Sequence, residues 1–414
     1  MSDLSSNFAA NGASGSEALF HLSELFYSRT DPRGVISSGN TVFQRVAGYE
    51  WEELLGAPHK LIRHPDMPKG VFYLLWENLK AGRLTGAYVK NQRKGGRFYW
   101  VFALITPVEG GYMSTRLKPS SKLFQTVEGL YADLLEEEKQ EGLSPADSAA
   151  RLLERIRDLG FSNYVSFQSH ALASEYSARD RQLGRNPHPL QKRFIDMAAA
   201  ITQVHDETCE MTEAFKAIRT VPMNMRLIAS RLENAGGPIS AISVNYSQML
   251  EEMSTWVTTF VDGDSCVFAR IRDAILRGQF VSFAAALKND MYDMLRTEQD
   301  GYPEIIDLEH ELRELVAMRE NFAAEMSLAL ERVEAEAKRF ARSVLDMKRY
   351  VTGLSSTRMM CKIESAALSG NGTALSGIVE QLDACQNEIE ERLTKVVELN
   401  SVIQSNTAML RSLV

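Results

Sequence analysis

No apolar run approaches the roughly 18 residues that a membrane-spanning helix needs, so no membrane span is expected anywhere in the 414 residues. Basic residues are not in excess. The 46 Lys and Arg against 54 Asp and Glu leave a formal charge of −8, which argues against nucleic acid or an anionic lipid surface as the main partner. Cysteine is scarce: Cys209, Cys266, Cys361 and Cys385 lie far apart and form no CxxC pair. Neither a zinc site nor a disulfide framework is therefore expected, and a reducing cytoplasm is the natural compartment. The first twenty residues lack a basic stretch followed by an apolar core, so no signal peptide is expected.

Signatures of common enzymes are missing too. No Walker loop, HExxH, cyclase block or nucleotide-binding glycine box of a histidine kinase occurs, and the chain is expected not to be an enzyme. His205, beside Asp206 and Glu207, reads as a solvated helix residue, and the acidic run Leu135 to Lys139 as a solvated face. What is present is ordinary for a folded protein: 44% hydrophobic and 24% charged residues, with a length that suits two or three structural units.

Residues 1–17 read as a flexible tail and 18–118 as a mixed domain. Strand-like runs occur at Leu25–Arg29, Gly34–Ser37, Ala87–Lys90, Arg97–Thr106 and Tyr112–Arg116. The turn Asp31-Pro32-Arg33-Gly34 separates the first two, and Gly95-Gly96 and Gly110-Gly111 join the last three, because glycine reaches the positive φ of tight hairpins cheaply. Two strands, a helical interval and a three-strand meander predict an α+β domain: a five-stranded antiparallel sheet with helices on one face.

Beyond residue 118 the pattern is helical. Phe124, Val127, Leu130, Tyr131, Leu134 and Leu135 recur at helical spacing directly after the last strand. Ser144 and Pro145 start another helix as N-cap and first helical residue. Residues 119–189 are thus connecting helices, closed by a loop at Gly184–Pro189. Residues 190–414 read as long helical hairpins forming an antiparallel bundle. The first hairpin turns at Gly236-Gly237-Pro238. In the second, Leu308, Leu312, Leu315, Phe322, Met326, Leu330, Val333, Ala337, Phe340, Val344, Met347 and Val351 form a seam of about six heptads. Leu375, Ile378, Leu382, Cys385, Ile389, Leu393 and Val396 form the returning seam. Such stripes bury area in any bundle and do not by themselves specify an output.

The most informative stretch is Pro58 to Lys69, containing Arg63-His64-Pro65-Asp66-Met67-Pro68. Asp66 suits an N-cap and Pro68 the first turn of a helix through Lys80, which Gly82 ends. Capping leaves Arg63 and His64 unexplained; an Arg and a His at a helix N-terminus form a donor-rich corner suited to phosphate. Trp76, Asn91, Tyr99 and Trp100 offer stacking surfaces and an amide edge. Taken residue by residue, a bound aromatic cofactor and an ordinary packed core both remain open.

The stretch Asn40 to Tyr49, the Arg63–Pro68 block, the Trp76 helix, Lys90-Asn91-Gln92-Arg93-Lys94-Gly95-Gly96-Arg97-Phe98-Tyr99-Trp100 and the closing Gly111–Arg116 together resemble the PAS domain of bacterial aerotaxis receptors. The resemblance covers residues 22–118. It implies FAD, held non-covalently, whose redox state reports oxygen or electron-transport status. Arg63, His64 and Asp66 would help hold it, with Asn40, His59, Trp76, Asn91 and Tyr99 lining or supporting the ring pocket. It also implies that Asn91 reorients on reduction and passes the change to the helix after Arg116. One departure is Thr85, which stands where the family has a second Trp, removing one stacking partner. Haem is the less favoured cofactor, with His59 or His64 as axial ligand. All four cysteines lie outside the domain, so a light sensor with a reactive cysteine is set aside.

Val221–Ile242 and Leu354–Gly372, about 132 residues apart, are similar to the cytoplasmic tip of chemotaxis receptors, in degenerate form. The combined reading is a soluble redox or oxygen sensor of aerotaxis or chemotaxis type, forming a homodimer, with a chemotaxis kinase, its coupling protein or another signalling protein as candidate partner. The alternative is a cofactor-free or haem-bearing PAS scaffold that dimerises or binds a partner.

Overall fold

The computed structural model describes residues 17–230, 236–261, 266–298, 301–367 and 373–413. By compactness these fall into two units. The first comprises the described residues up to His188 together with Gln279–Ala324, and the second Pro189–Gly278 with Glu325–Val414.

In the first unit, β1 (Phe26–Thr30), β2 (Ile36–Gly39), α1 (Thr41–Ala47), α2 (Trp51–Leu54), a 3₁₀ turn at His59–Ile62 and α3 (Lys69–Lys80) precede the meander β3 (Thr85–Gln92), β4 (Phe98–Val108) and β5 (Gly111–Leu117). The strands form one antiparallel sheet in the order β2-β1-β5-β4-β3. Its central strand, β5, is the last in sequence. The β3–β4 turn carries Gly95 and Gly96 at φ 91 and 92, as its sequence predicts. At the β4–β5 turn, a Cβ on Gly111 would lie 1.9 Å from the Thr30 carbonyl oxygen, so only glycine fits there.

Side chains alternate between the two faces of the sheet. One face, bearing Ser28, Asn91, Tyr99, Ser114 and Arg116, looks toward α1 and the 3₁₀ turn: Arg116 meets His59, and His59 stacks on Phe43. Sequence reading places helices on this face alone. The opposite face is covered as well, by segments much later in the chain. Tyr88 and Trp100 pack on Phe124 of α4 (Lys122–Glu141), and Tyr88 on Phe167 of α6 (Tyr164–Gln182). Lys288 of α10 (Val267–Thr297) bonds Thr115, and Glu311 of α11 (Leu308–Ala367) bonds Tyr27 and Arg29. Trp100 is therefore not available to a ligand on the α1 side.

Three local expectations are corrected. Helix α3 starts at Lys69, not after Asp66, because the Asp66 carboxylate is engaged by Lys90. The free N–H groups of Lys69 and Gly70 are capped instead by Glu138 of α4 and Ser148 of α5 (Pro145–Asp158). Glu138, within the acidic run, is accordingly buried rather than solvated. In the first hairpin, Gly236 to Pro238 form the first turn of α9 (Gly236–Phe260). Residues 231–235 lie outside the described residues, as do 368–372 in the second hairpin.

The second unit contains α7 (Pro189–Ile218), α8 (Val221–Ala229), α9 and α12 (Thr373–Arg411), with parts of α10 and α11. Within it the seam residues Val333 to Val351 of α11 and Ile378 to Val396 of α12 are buried. Helix α12 lies antiparallel to α7: Cys385 bonds the Ala214 carbonyl, Arg392 pairs with Glu207, and Asn406 accepts from Arg193. Trp256 of α9 donates to the Ser343 carbonyl of α11.

Candidate functional site

The eight residues singled out by sequence fall in three places. Arg63, His64 and Asp66 form one cluster where the segment before α3 docks on the edge strand β3. An isolated bridge joins Arg63 to Asn91, and the His64 N–H donates to the Lys90 carbonyl. The Asp66 N–H donates to His64 Nδ1, and Lys90 Nζ reaches the Asp66 carboxylate at 3.0 Å. That lysine holds Asp66 below the usual carboxylate range, while burial and Lys90 lower the pKa of His64. The Arg63 guanidinium lies 3.8 Å over the Phe72 ring. Arg63 and Lys90 thus offer positive charge and N–H donors, with the His64 imidazole beside them, on a partly open surface.

The second place is the inner face of the sheet. Asn91 and Tyr99 stand opposite each other in the β3–β4 register. The Asn91 amide nitrogen and the Tyr99 hydroxyl are buried with no hydrogen-bond partner, as is the Ser114 hydroxyl. The Tyr99 ring is stacked on Phe26 at 5.6 Å, so its hydroxyl rather than its face is free to act. His59 is buried, and its Nε2 lies 2.7 Å from a guanidinium nitrogen of Arg116. Burial and that cation pull its pKa down to about 3, so the imidazole is neutral and accepts from Arg116.

Arg116 is the residue that sequence reading passed over. Only 3% exposed, it donates from one Nη to the Ser28 hydroxyl at 2.7 Å and to His59, while its other Nη has no partner. No carboxylate among the described residues pairs with it. Burial lowers its pKa to about 10, so it remains a cation at neutral pH. A buried charge without a counter-charge is costly. The signal in the sequence is a charged residue two positions after Ser114, and so on the same face of the closing strand.

Asn40 and Trp76 lie elsewhere. The Asn40 carbonyl accepts from the N–H groups of Tyr27 and Phe43, and its amide donates to the Leu25 carbonyl. Fully occupied, it fixes the start of α1 to β1. Trp76 packs edge-on against Tyr112 and close to Gly34. Tyr112 pairs with Pro107, eight residues along β4 from Tyr99, which is about 26 Å of strand. Thr85 turns its hydroxyl to Gln168 of α6 and supplies no stacking surface.

The donor set fits a flavin. Three unpartnered buried groups and an uncompensated guanidinium on one face match a planar ligand rich in acceptors, with the Arg63 corner suited to its phosphates. The haem alternative meets an obstacle at His59, whose Nε2 is taken up by a cation. Among the described residues no group of three or more His, Cys, Asp or Glu side chains could hold a metal ion.

The sheet order, the helices before β3 and the inward polar set are those of a PAS-type domain, and residues 37–113 match the PAS fold family. The surrounding region is homologous to the aerotaxis receptor of Escherichia coli, 44% identical over 112 residues, covering 26% of this chain and 22% of that protein. It is also similar to the biofilm dispersion protein BdlA of Pseudomonas aeruginosa, 27% identical over 163 residues, or 37% of each chain. The chain thus spans well under half the length of either relative. Among solved structures, a light-oxygen-voltage domain studied with a flavin analogue is 22% identical with a TM-score of 0.22, covering 28% of this chain and 87% of that one.

Proposed function

We propose that this chain is a redox or oxygen sensor whose PAS domain holds FAD non-covalently and signals to the helical output of residues 190–414, through connecting helices at 119–189. The observation that carries this reading is Arg116, a buried cation on the inner face with an idle donor and no carboxylate. The aerotaxis-receptor relative supports it, through identity concentrated in this domain. When bound, FAD supplies a ring whose charge and protonation change on reduction. Arg116, Asn91 and Tyr99 direct donors to that ring, and neutral His59 keeps the Arg116 fork oriented. Arg63 and His64 receive the phosphates. Asn91 links the two places, because its side chain faces inward while its backbone bridges Arg63.

Turnover of a substrate forms no part of this role. A cytoplasmic location, a homodimer and coupling to a chemotaxis kinase, its coupling protein or another signalling protein belong to the same proposal. No helix among the described residues is long and apolar enough to cross a membrane.

The test is the visible spectrum of the purified chain before and after FAD addition and gel filtration. A retained oxidised-flavin band is expected, weakened in Arg63→Ala and in Asn91→Ala by about tenfold in affinity, the effect of one good hydrogen bond to a charged or buried group. A Soret band, or no retained colour after FAD addition, would overturn the flavin reading. Undiminished loading in both variants would overturn the site.

A further inference from the structure

We propose that Lys288 is a proton-operated latch between α10 and the sensor sheet: uncharged, it holds α10 on β5 through Thr115, and protonated, it loosens that contact. Lys288 is 2% exposed, and its Nζ donates to the Thr115 hydroxyl at 3.0 Å. A lysine that deep in a protein normally has a carboxylate beside it. Here the acidic groups on the surrounding elements are engaged elsewhere. On β1 and α11, Glu311 takes Tyr27 and Arg29, and Arg29 also meets Glu314 and His310. On α6, Glu175 is occupied by Tyr88, Ser120 and Ser121, while Arg179 and Arg185 share Asp290 of α10 itself, and Asp180 faces Arg185. Tyr176, also on α6, is held protonated by burial.

The charge that does act on Lys288 is Arg116, and it has the same sign. The two residues approach β5 from opposite faces, Lys288 at Thr115 and Arg116 at the next position. Burial first and Arg116 second lower the lysine from 10.5 to about 7. An unfolded chain keeps this proton up to about 10.4, whereas the folded chain releases it near 7. Between those values folding releases a proton, so raising the pH strengthens the docked state. Below 7 the contact carries a buried charge, and α10 is expected to loosen.

The pH response stands without any cofactor. A second consequence rests on the FAD reading: an anionic group placed against Arg116 offsets its field and raises the midpoint of Lys288. The latch then connects the inner face of the sheet to a helix on the other.

The experiment is an NMR titration of the flavin-free full chain with labelled lysine side chains, alongside hydrogen exchange of residues 279–297 corrected for intrinsic rates. One lysine signal, absent from both Lys288→Met and Lys288→Gln, is expected to titrate about three units below the rest. Exchange in 279–297 should quicken as pH falls through the same midpoint, and not in Lys288→Met. Arg116→Gln should raise the midpoint by about one unit, the size of a like-charge interaction across a sheet. A Lys288 midpoint among those of the other lysines, or exchange indifferent to it, would overturn the latch. An intact pH response that FAD leaves unmoved would overturn only the link to the cofactor.

Discussion

Arg116→Met is expected to lower FAD affinity by roughly ten- to a hundredfold, read by quenching of flavin fluorescence on titration with protein. The size follows from the guanidinium's place on the inner face. One of its nitrogens has no partner and its charge has no counter-charge. A hydrogen bond from such a group to a bound acceptor contributes about 1.5–3 kcal/mol, and each 1.4 kcal/mol is tenfold in affinity. His59 cannot substitute for it, since burial and Arg116 keep the imidazole neutral. Arg116→Lys should fall between wild type and Met, because an ammonium keeps the charge but loses the planar fork in which one nitrogen holds Ser28 and His59 and the other is left for a ligand. Equal affinities in all three proteins would show that the guanidinium serves the fold alone.

Glu175→Ala is expected to cost about 3–5 kcal/mol of stability in the sensor unit, read as a lower urea midpoint in the tryptophan signal. Fully buried on α6, its carboxylate accepts from the Tyr88 and Ser121 hydroxyls and from the backbone N–H groups of Ser120 and Ser121. These last two donors open α4 directly after β5, where no intrahelical acceptor exists. Truncation would leave the buried Tyr88 hydroxyl and three part-buried donors of Ser120 and Ser121 without their acceptor, and a cavity beside Tyr88, the mechanism behind large single-residue losses. Glu175→Gln keeps one acceptor oxygen and should lose about half as much. A loss in Ala below about 1 kcal/mol would mean that the start of α4 is held by its apolar contacts and Ser121 cap instead.

Both residues show where sequence reading runs out. The five strands were legible because glycine pairs punctuate runs of alternating side chains, and the long seams because steps of three and four persist from Phe322 to Val351. The Arg63–Pro68 block and the Lys90–Trp100 stretch marked the domain by pattern. Glu138 and Glu175 were not legible as caps, since the N–H groups they satisfy lie 69 and 54 residues away. Nor did anything local show that residues 279–324 return to the outer face of the sheet, because a helix stripe does not name its partner. The side-chain amide of Asn40 is used in joining α1 to β1, a role that no local pattern distinguishes from lining a pocket. Trp100 was offered as a stacking surface, and strand alternation places it on the opposite face, against Phe124 and Tyr131. The parity of its position relative to Asn91 and Tyr99 already carried that information.

The central claim is that the inner face of this sheet binds a flavin dinucleotide through donors that otherwise have no partner. A crystal structure of the chain grown with FAD tests it most directly. Electron density for the isoalloxazine is expected between the sheet and α1, with Arg116, Asn91 and Tyr99 in hydrogen-bonding reach and the phosphates toward Arg63. Density showing only ordered water or the protein's own side chains against those three groups, with FAD absent or elsewhere, would contradict it.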